Sequence, residues 1–305
     1  MISKTLFTFV GFCCLYGFIL WKTPQLSATQ NQNQTNYIQA EKYLFEDHSD
    51  KPATLVGTSL TARLQMEQLP QFNNLAFGGL SIYDGLEIVI KGGAKPKILF
   101  VEINYFTKES SKEFLSSLFQ PASYSLKKYI PLLRSDKQPL GIFALEAIYM
   151  LKKRNEKVGF EEAVNKSFNN DTISSVAKKY EMHLKSKIPL NEIVFNDFVK
   201  DYSKKMATEL INKSLKNLKS KIDTLSSMGV KVVFFEMPIN FQLIESVQYA
   251  HNMMEFKKVF PADKYSYIPT KQWGFQTTDG IHLNKKEADT FTFYLQSYYQ
   301  GLTKN

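Results

Sequence analysis

Apolar positions along the chain gather into four short, nearly continuous runs, each cut off at Gly, Asn or Pro. They are ATLVG (53–57), NLAFGG (74–79), KILFVEIN (97–104) and VKVVFFEMP (230–238). Runs this short, rich in Val, Ile, Leu and Phe and without an alternating polar face, predict strands buried on both sides, as in a parallel sheet. Between them the pattern turns amphipathic. LTARLQMEQL (60–69) predicts a helix after the first strand, and LSIYDGLEIVIKGG (80–93) predicts a second that stops at a glycine pair. Residues 198–229 predict one long helix ending at Gly229, and KKEADTFTFYLQSYYQGL (285–302) predicts a closing helix. Strand and helix alternate, so the expected class is α/β with a mainly parallel sheet.

Residues 106–196 fit that alternation poorly. They hold helical fragments such as GIFALEAIYMLKK (141–153) broken by Pro and Ser, and read as a largely helical insertion between the third and fourth strands. Ahead of the folded body, residues 23–51 are polar and rich in Gln and Asn, which predicts a linker with a short helix near Tyr37–Phe45. The body itself is expected over 52–302.

Residues 1–22 contain TLFTFVGFCCLYGFILW (5–21), an uncharged stretch flanked by Lys4 and Lys22. Its length is at the short end for a membrane span, which usually takes about 20 residues. An uncleaved N-terminal anchor with Trp21 at the interface is the favoured expectation, and a cleaved signal peptide is the alternative. Either one predicts an exported body, in a bacterial periplasm or at a cell surface. Cys13 and Cys14 lie inside this segment, so the rest of the chain offers neither a disulfide framework nor a thiolate zinc site. A net charge of +9 suits an anionic partner without choosing one, and no zinc-finger or RNA-recognition pattern accompanies it; a nucleic-acid partner is not expected.

Four histidines are available: His48, His183, His251 and His282. The first lies in the linker and the second in a polar tract, where both read as surface residues. His251 reads as a packing or surface residue. His282 differs, because TTDGIHLNKKEA places Asp279 three residues before it across a glycine, just ahead of the last helix. One compact turn then carries a carboxylate beside an imidazole, the pair that activates a hydroxyl nucleophile. The plain alternative is Asp279 capping the turn and His282 packing beneath the helix. Gly57-Thr58-Ser59, at the end of the first strand, offers the hydroxyl.

VGTSL, NLAFGG, VEIN and DGIHLN occur in the order of the SGNH, or GDSL-like, hydrolase superfamily, which the chain resembles over about 52–105 and 229–300. That resemblance implies a flavodoxin-like three-layer α/β/α fold. It implies Ser59 as nucleophile, Asp279 as orienter and His282 as base. It also implies oxyanion donors from the Ser59 N–H, from Gly79 (or Gly78), and from the Asn104 side chain. The chain departs from the family pattern at Thr58, where Gly-Asp-Ser-Leu has Asp, and at Glu102-Ile103-Asn104-Tyr105, which replaces Gly-x-Asn-Asp. Loosened motifs behind an N-terminal anchor resemble the envelope branch. Its members include proteins that O-acetylate alginate, peptidoglycan or other surface glycans, and D-alanyl-lipoteichoic acid transfer proteins.

The expected activity is therefore a serine esterase or O-acyltransferase acting on a cell-envelope polysaccharide, without cofactor or metal and with a membrane acyl-donor protein as candidate partner. The other readings are a catalytically weak binding or assembly component of the same kind of system, and an unrelated nucleotide-binding α/β protein. The last lacks a Walker or Gly-x-Gly-x-x-Gly signature. Tyr124, Lys127, Lys128 and Tyr129 suit either a glycan groove or a solvated helix face.

Overall fold

The computed structural model describes residues 32–93, 95–137, 190–269 and 274–303, with part of the segment 7–22. The chain divides into two compact units. One comprises residues 1–45 and 116–167, and the other comprises 46–115 and 168–305.

The larger unit is α/β. Strands β1 (Ala53–Gly57), β2 (Phe72–Ala76), β3 (Ile98–Glu102), β4 (Lys231–Phe235) and β5 (Ser266–Tyr267) form one parallel sheet in the order β2-β1-β3-β4-β5. All four expected strands are present, and β1 and β3 are buried at every position, as their unbroken apolar runs predict. β5 was not visible in the sequence, since two residues carry no periodicity.

Helices cover both faces. Register aligns Ala53, Leu55, Phe72, Ile98, Phe100 and Glu102 on one face, and Val56, Leu75, Val101 and Phe234 on the other. Helix α9 (Lys285–Thr303) packs on the first face, where the Tyr299 ring meets Phe72 at 4.9 Å. On the second face lie α2 (Ile82–Gly92), α6 (Thr208–Ser227) and, after the one-turn α7 (Phe241–Ile244), α8 (Val247–Val259). A Cβ at Gly85 of α2 would stand 2.9 Å from Val56 Cγ1, and Phe256 of α8 meets Phe234 edge-on at 5.3 Å. Each fully buried phenylalanine in these stacks contributes about 2–3 kcal/mol. The three layers are thus helix, sheet and helix.

Two helical expectations are corrected. Residues 60–69 form no α-helix but two single 3-10 turns, Thr61–Arg63 and Met66–Gln68. Thr58 and Thr61 bind a distant carboxylate instead, as short hydroxyl side chains do when they compete with the helical ladder. The tract 198–229 is two helices, α5 (Leu190–Tyr202) and α6, since after Tyr202 no residue is buried until Ile211. α5 also places residues 190–196, read as insertion, in the α/β unit. So do Phe106 and Phe114, both buried. Helix α3 (Lys112–Leu118) crosses the unit boundary.

In the smaller unit, the stretch read as a linker contains α1 (Gln32–Phe45), a 14-residue helix. With it pack α4 (Pro121–Tyr129) and two 3-10 turns over 131–137. Glu41 of α1 is 2% exposed and accepts from Lys127 Nζ at 2.7 Å and from the Ser135 N–H at 2.6 Å. Phe45 meets the Tyr124 ring at 5.1 Å and lies under the Arg134 guanidinium at 5.3 Å. Among the described residues no helix is long and apolar enough to cross a membrane. The expected anchor at 5–21 is described only in part, and the fragment 141–153 lies outside the described residues.

Candidate active site

Ser59 stands two residues beyond β1 on a corner closed by the Ala62 N–H, which donates to the Thr58 carbonyl at 3.0 Å. Only glycine fits at position 57. A Cβ there would lie 2.4 Å from Thr61 Cβ and 2.8 Å from Glu102 Oε2. Ser59 itself is half-buried, between the buried Thr58 and Leu60.

The second half of the site is the turn before α9. The Thr278 N–H donates to the His282 carbonyl at 2.8 Å, and Thr277 bridges Leu283, so the residues between form a closed loop. Asp279 Oδ1 accepts from the backbone N–H groups of Ile281 (3.2 Å) and His282 (2.9 Å). Gly280 adopts φ +94°, with its carbonyl accepting from the Asn240 N–H at 2.8 Å. A Cβ there would strike the Phe195 ring at 2.3 Å. Asn284 then caps α9, accepting from the Glu287 N–H at 3.0 Å.

These two turns bring the three expected residues into one hydrogen-bonded line. His282 Nε2 lies 2.9 Å from Ser59 Oγ, and His282 Nδ1 lies 2.7 Å from Asp279 Oδ2. An ionised carboxylate only accepts, so Nδ1 carries the ring hydrogen and Nε2 is left to accept from the serine. Burial would raise the Asp279 carboxyl. The hydrogen bonds and charge of His282 outweigh that and hold it below its ordinary value.

The expected oxyanion donors are placed as follows. Gly79 lies on an exposed turn after β2 with φ +76°, and Gly78 precedes it. Asn104 is buried, two residues past β3. Its Oδ1 accepts from the Met237 N–H at 2.7 Å and its Nδ2 donates to the Met237 carbonyl at 2.8 Å. The side chain thus continues the β3–β4 pairing beyond the ends of the strands. Its second Nδ2 hydrogen has no protein acceptor among the described residues.

Three further residues lie beside the site and were not among its expected members. Glu102, fully buried at the end of β3, accepts from Thr58 and Thr61 on the corner bearing Ser59. Burial pushes its carboxyl up, and those hydrogen bonds work against the shift. Lys108 Nζ donates to the Gly79 carbonyl at 2.7 Å. Tyr105, where the family pattern has Asp, sits beside Tyr202 and within electrostatic reach of Glu102 and Asp279; burial drives its pKa strongly upward. In retrospect a Glu closing an otherwise apolar strand was a usable signal, but nothing local pointed to its partners.

The remaining candidates lie elsewhere. His251 is half-buried on α8, and His183 falls outside the described residues. Tyr124 and Lys127 are engaged within the smaller unit, on Phe45 and Glu41, whereas Tyr129 is 76% exposed. An open cleft follows the Asp279 turn, lined by Asn191, Glu192, Phe195, Asn240 and Thr278. Among the described residues no group of His, Cys, Asp and Glu is arranged to hold a metal ion.

Compared with known proteins, the chain matches no family model. It matches no curated protein either.

Proposed function

We propose that the chain is a serine esterase or O-acyltransferase of the SGNH, or GDSL-like, type. The observation that carries this reading is the line from Ser59 Oγ through the His282 ring to Asp279, at 2.9 and 2.7 Å. The setting supports it. The strand order 2-1-3-4-5 is that of flavodoxin-like sheets, which hold ligands at the carboxyl ends of the strands where the order reverses. Here that point lies between β1 and β3, followed by Ser59 and Asn104 respectively.

In the reaction, Ser59 Oγ attacks an ester carbonyl while its proton passes to His282 Nε2. Asp279 stabilises the imidazolium that forms. The Ser59 and Gly79 N–H groups and the second Asn104 Nδ2 hydrogen receive the negative charge on the carbonyl oxygen. Collapse breaks the ester C–O bond, and His282 returns the proton to the departing alcohol. Water or a sugar hydroxyl then gives a proton to His282 and takes the acyl group from Ser59, which regains its hydrogen. The cleft beside Asp279, with its amide and hydroxyl lining, suits the polyol part of an acylated cell-envelope glycan. Residues 5–21 supply the export signal and, uncleaved, the membrane anchor that would hold the body near a membrane acyl donor.

A second reading, a binding component with little catalysis, draws on Asn104, whose amide is already engaged at two positions by Met237. Turnover of p-nitrophenyl acetate by the full chain separates the two. The first reading expects turnover that Ser59→Ala and His282→Ala abolish. A folded wild-type chain without turnover favours the second.

A further inference from the structure

The corner that presents Ser59 is fastened from another strand. Glu102 is the last residue of β3, and register places its side chain on the same face as Gly57. Its Oε2 accepts from the Thr58 N–H (2.8 Å), the Thr61 N–H (3.3 Å) and the Thr61 hydroxyl (2.7 Å). Its Oε1 accepts from the Thr58 hydroxyl at 2.8 Å. The Thr58 oxygen in turn accepts from the Leu60 N–H at 3.3 Å, so its single hydrogen is the one directed at Glu102. No ion pair reaches Glu102 among the described residues.

Burying a carboxylate without a cation is costly, and an apolar side chain would fill the same space. What a carboxylate alone provides is acceptor capacity for four donors at once. An amide in its place would turn an NH₂ toward at least one of them. The four donors belong to the residues that bracket Ser59, one immediately before it and one two places after. Gly57 leaves the room they need, since any Cβ there collides with Thr61 and Glu102.

We propose that Glu102 is the positioning residue of the Ser59 nucleophile: by clamping Thr58 and Thr61 it sets the corner on which the Ser59 hydroxyl meets His282. This rests on the reading of Ser59 as the nucleophile. Glu102 does not touch the reacting atoms. Its effect is on geometry, where a displacement of about 1 Å is enough to slow a reaction about a hundredfold.

The test uses the full chain and its Thr58→Val, Thr58→Ser and Glu102→Gln variants. Folding is monitored by circular dichroism, and kcat and KM are measured with p-nitrophenyl acetate. Thr58→Val keeps the volume of the side chain and removes one clamp donor; Thr58→Ser restores that donor. The clamp predicts that kcat falls by about tenfold to a hundredfold in Thr58→Val and Glu102→Gln while KM holds, and that Thr58→Ser returns to the wild-type value. A folded Thr58→Val chain with wild-type kcat overturns the clamp. So does a Thr58→Ser chain as slow as Thr58→Val, which would make the methyl group the cause. An inactive, folded wild-type chain overturns the nucleophile reading itself, and the clamp with it.

Discussion

Glu41 and Glu102 are both buried glutamates, one in each unit, and they are held in opposite ways. Glu41 faces an ammonium, Lys127, whose side chain remains 22% exposed, with Ser135 completing its shell. Glu102 faces two threonines and, among the described residues, forms no ion pair. A lysine is a point charge on a flexible stem, and it keeps most of its attraction when displaced. Threonine donors are directional and sit on a stiff, β-branched side chain. The first arrangement fastens helices together, and the second fixes the orientation of a turn. A carboxylate that sets geometry beside a nucleophile is therefore expected to reveal itself in rate, and one that ties helices together in stability.

The largest break with that contrast comes at Asn104, a neutral hydrogen bonder two residues past β3. Asn104→Ala should slow fluorophosphonate labelling by about 10²–10³-fold, the usual effect of losing one oxyanion donor, as read from rate constants on folded protein. An unchanged rate would leave Asn104 only its tie to Met237. On the other side of the comparison, Glu41→Ala should cost about 3 kcal/mol in urea unfolding, because it strips Lys127 of its partner. The kcat for p-nitrophenyl acetate should stay at the wild-type value. If kcat falls with it, the division of labour between the two glutamates fails.

Gly57→Ala should combine both effects on a smaller scale. Its methyl group has to displace Thr61 or Glu102, an overpacking penalty of about 1–3 kcal/mol, and labelling should slow with the lost stability. The smallest effect concerns acid. The Asp279 carboxyl is held below 3.8 in the folded chain. Its contribution to stability is thus complete above that pH and is lost as pH falls through the folded value. Melting curves taken from about pH 6 down to about pH 2 should show that acid loss, setting in below about pH 4, in the wild type and a weaker one in Asp279→Asn.

Much of this was legible in the residues. β1 and β3 are unbroken apolar runs because both faces of the sheet are covered, and the Asp279–His282 spacing survives because one turn contains the whole contact. What could not be read is long-range. The 3-10 corner at Thr61–Arg63 replaces the expected helix because Thr61 is bonded to Glu102, 41 residues later in the chain. The tie between Asn104 and Met237 spans 133 residues. Buried Glu41 looked like part of a polar linker because Lys127 and Ser135, which cover it, lie 86 and 94 residues away. Local periodicity reports which face of an element is buried, and it is silent about a side chain whose partners lie on another element.

The central claim is that Ser59 is an activated nucleophile. The most direct measurement is to treat the full chain with a fluorophosphonate and map the adduct by peptide mass spectrometry. The account predicts a single adduct, on the peptide containing Ser59, absent from Ser59→Ala and strongly reduced in His282→Ala. An adduct on another serine, or none on folded wild-type protein, would contradict it.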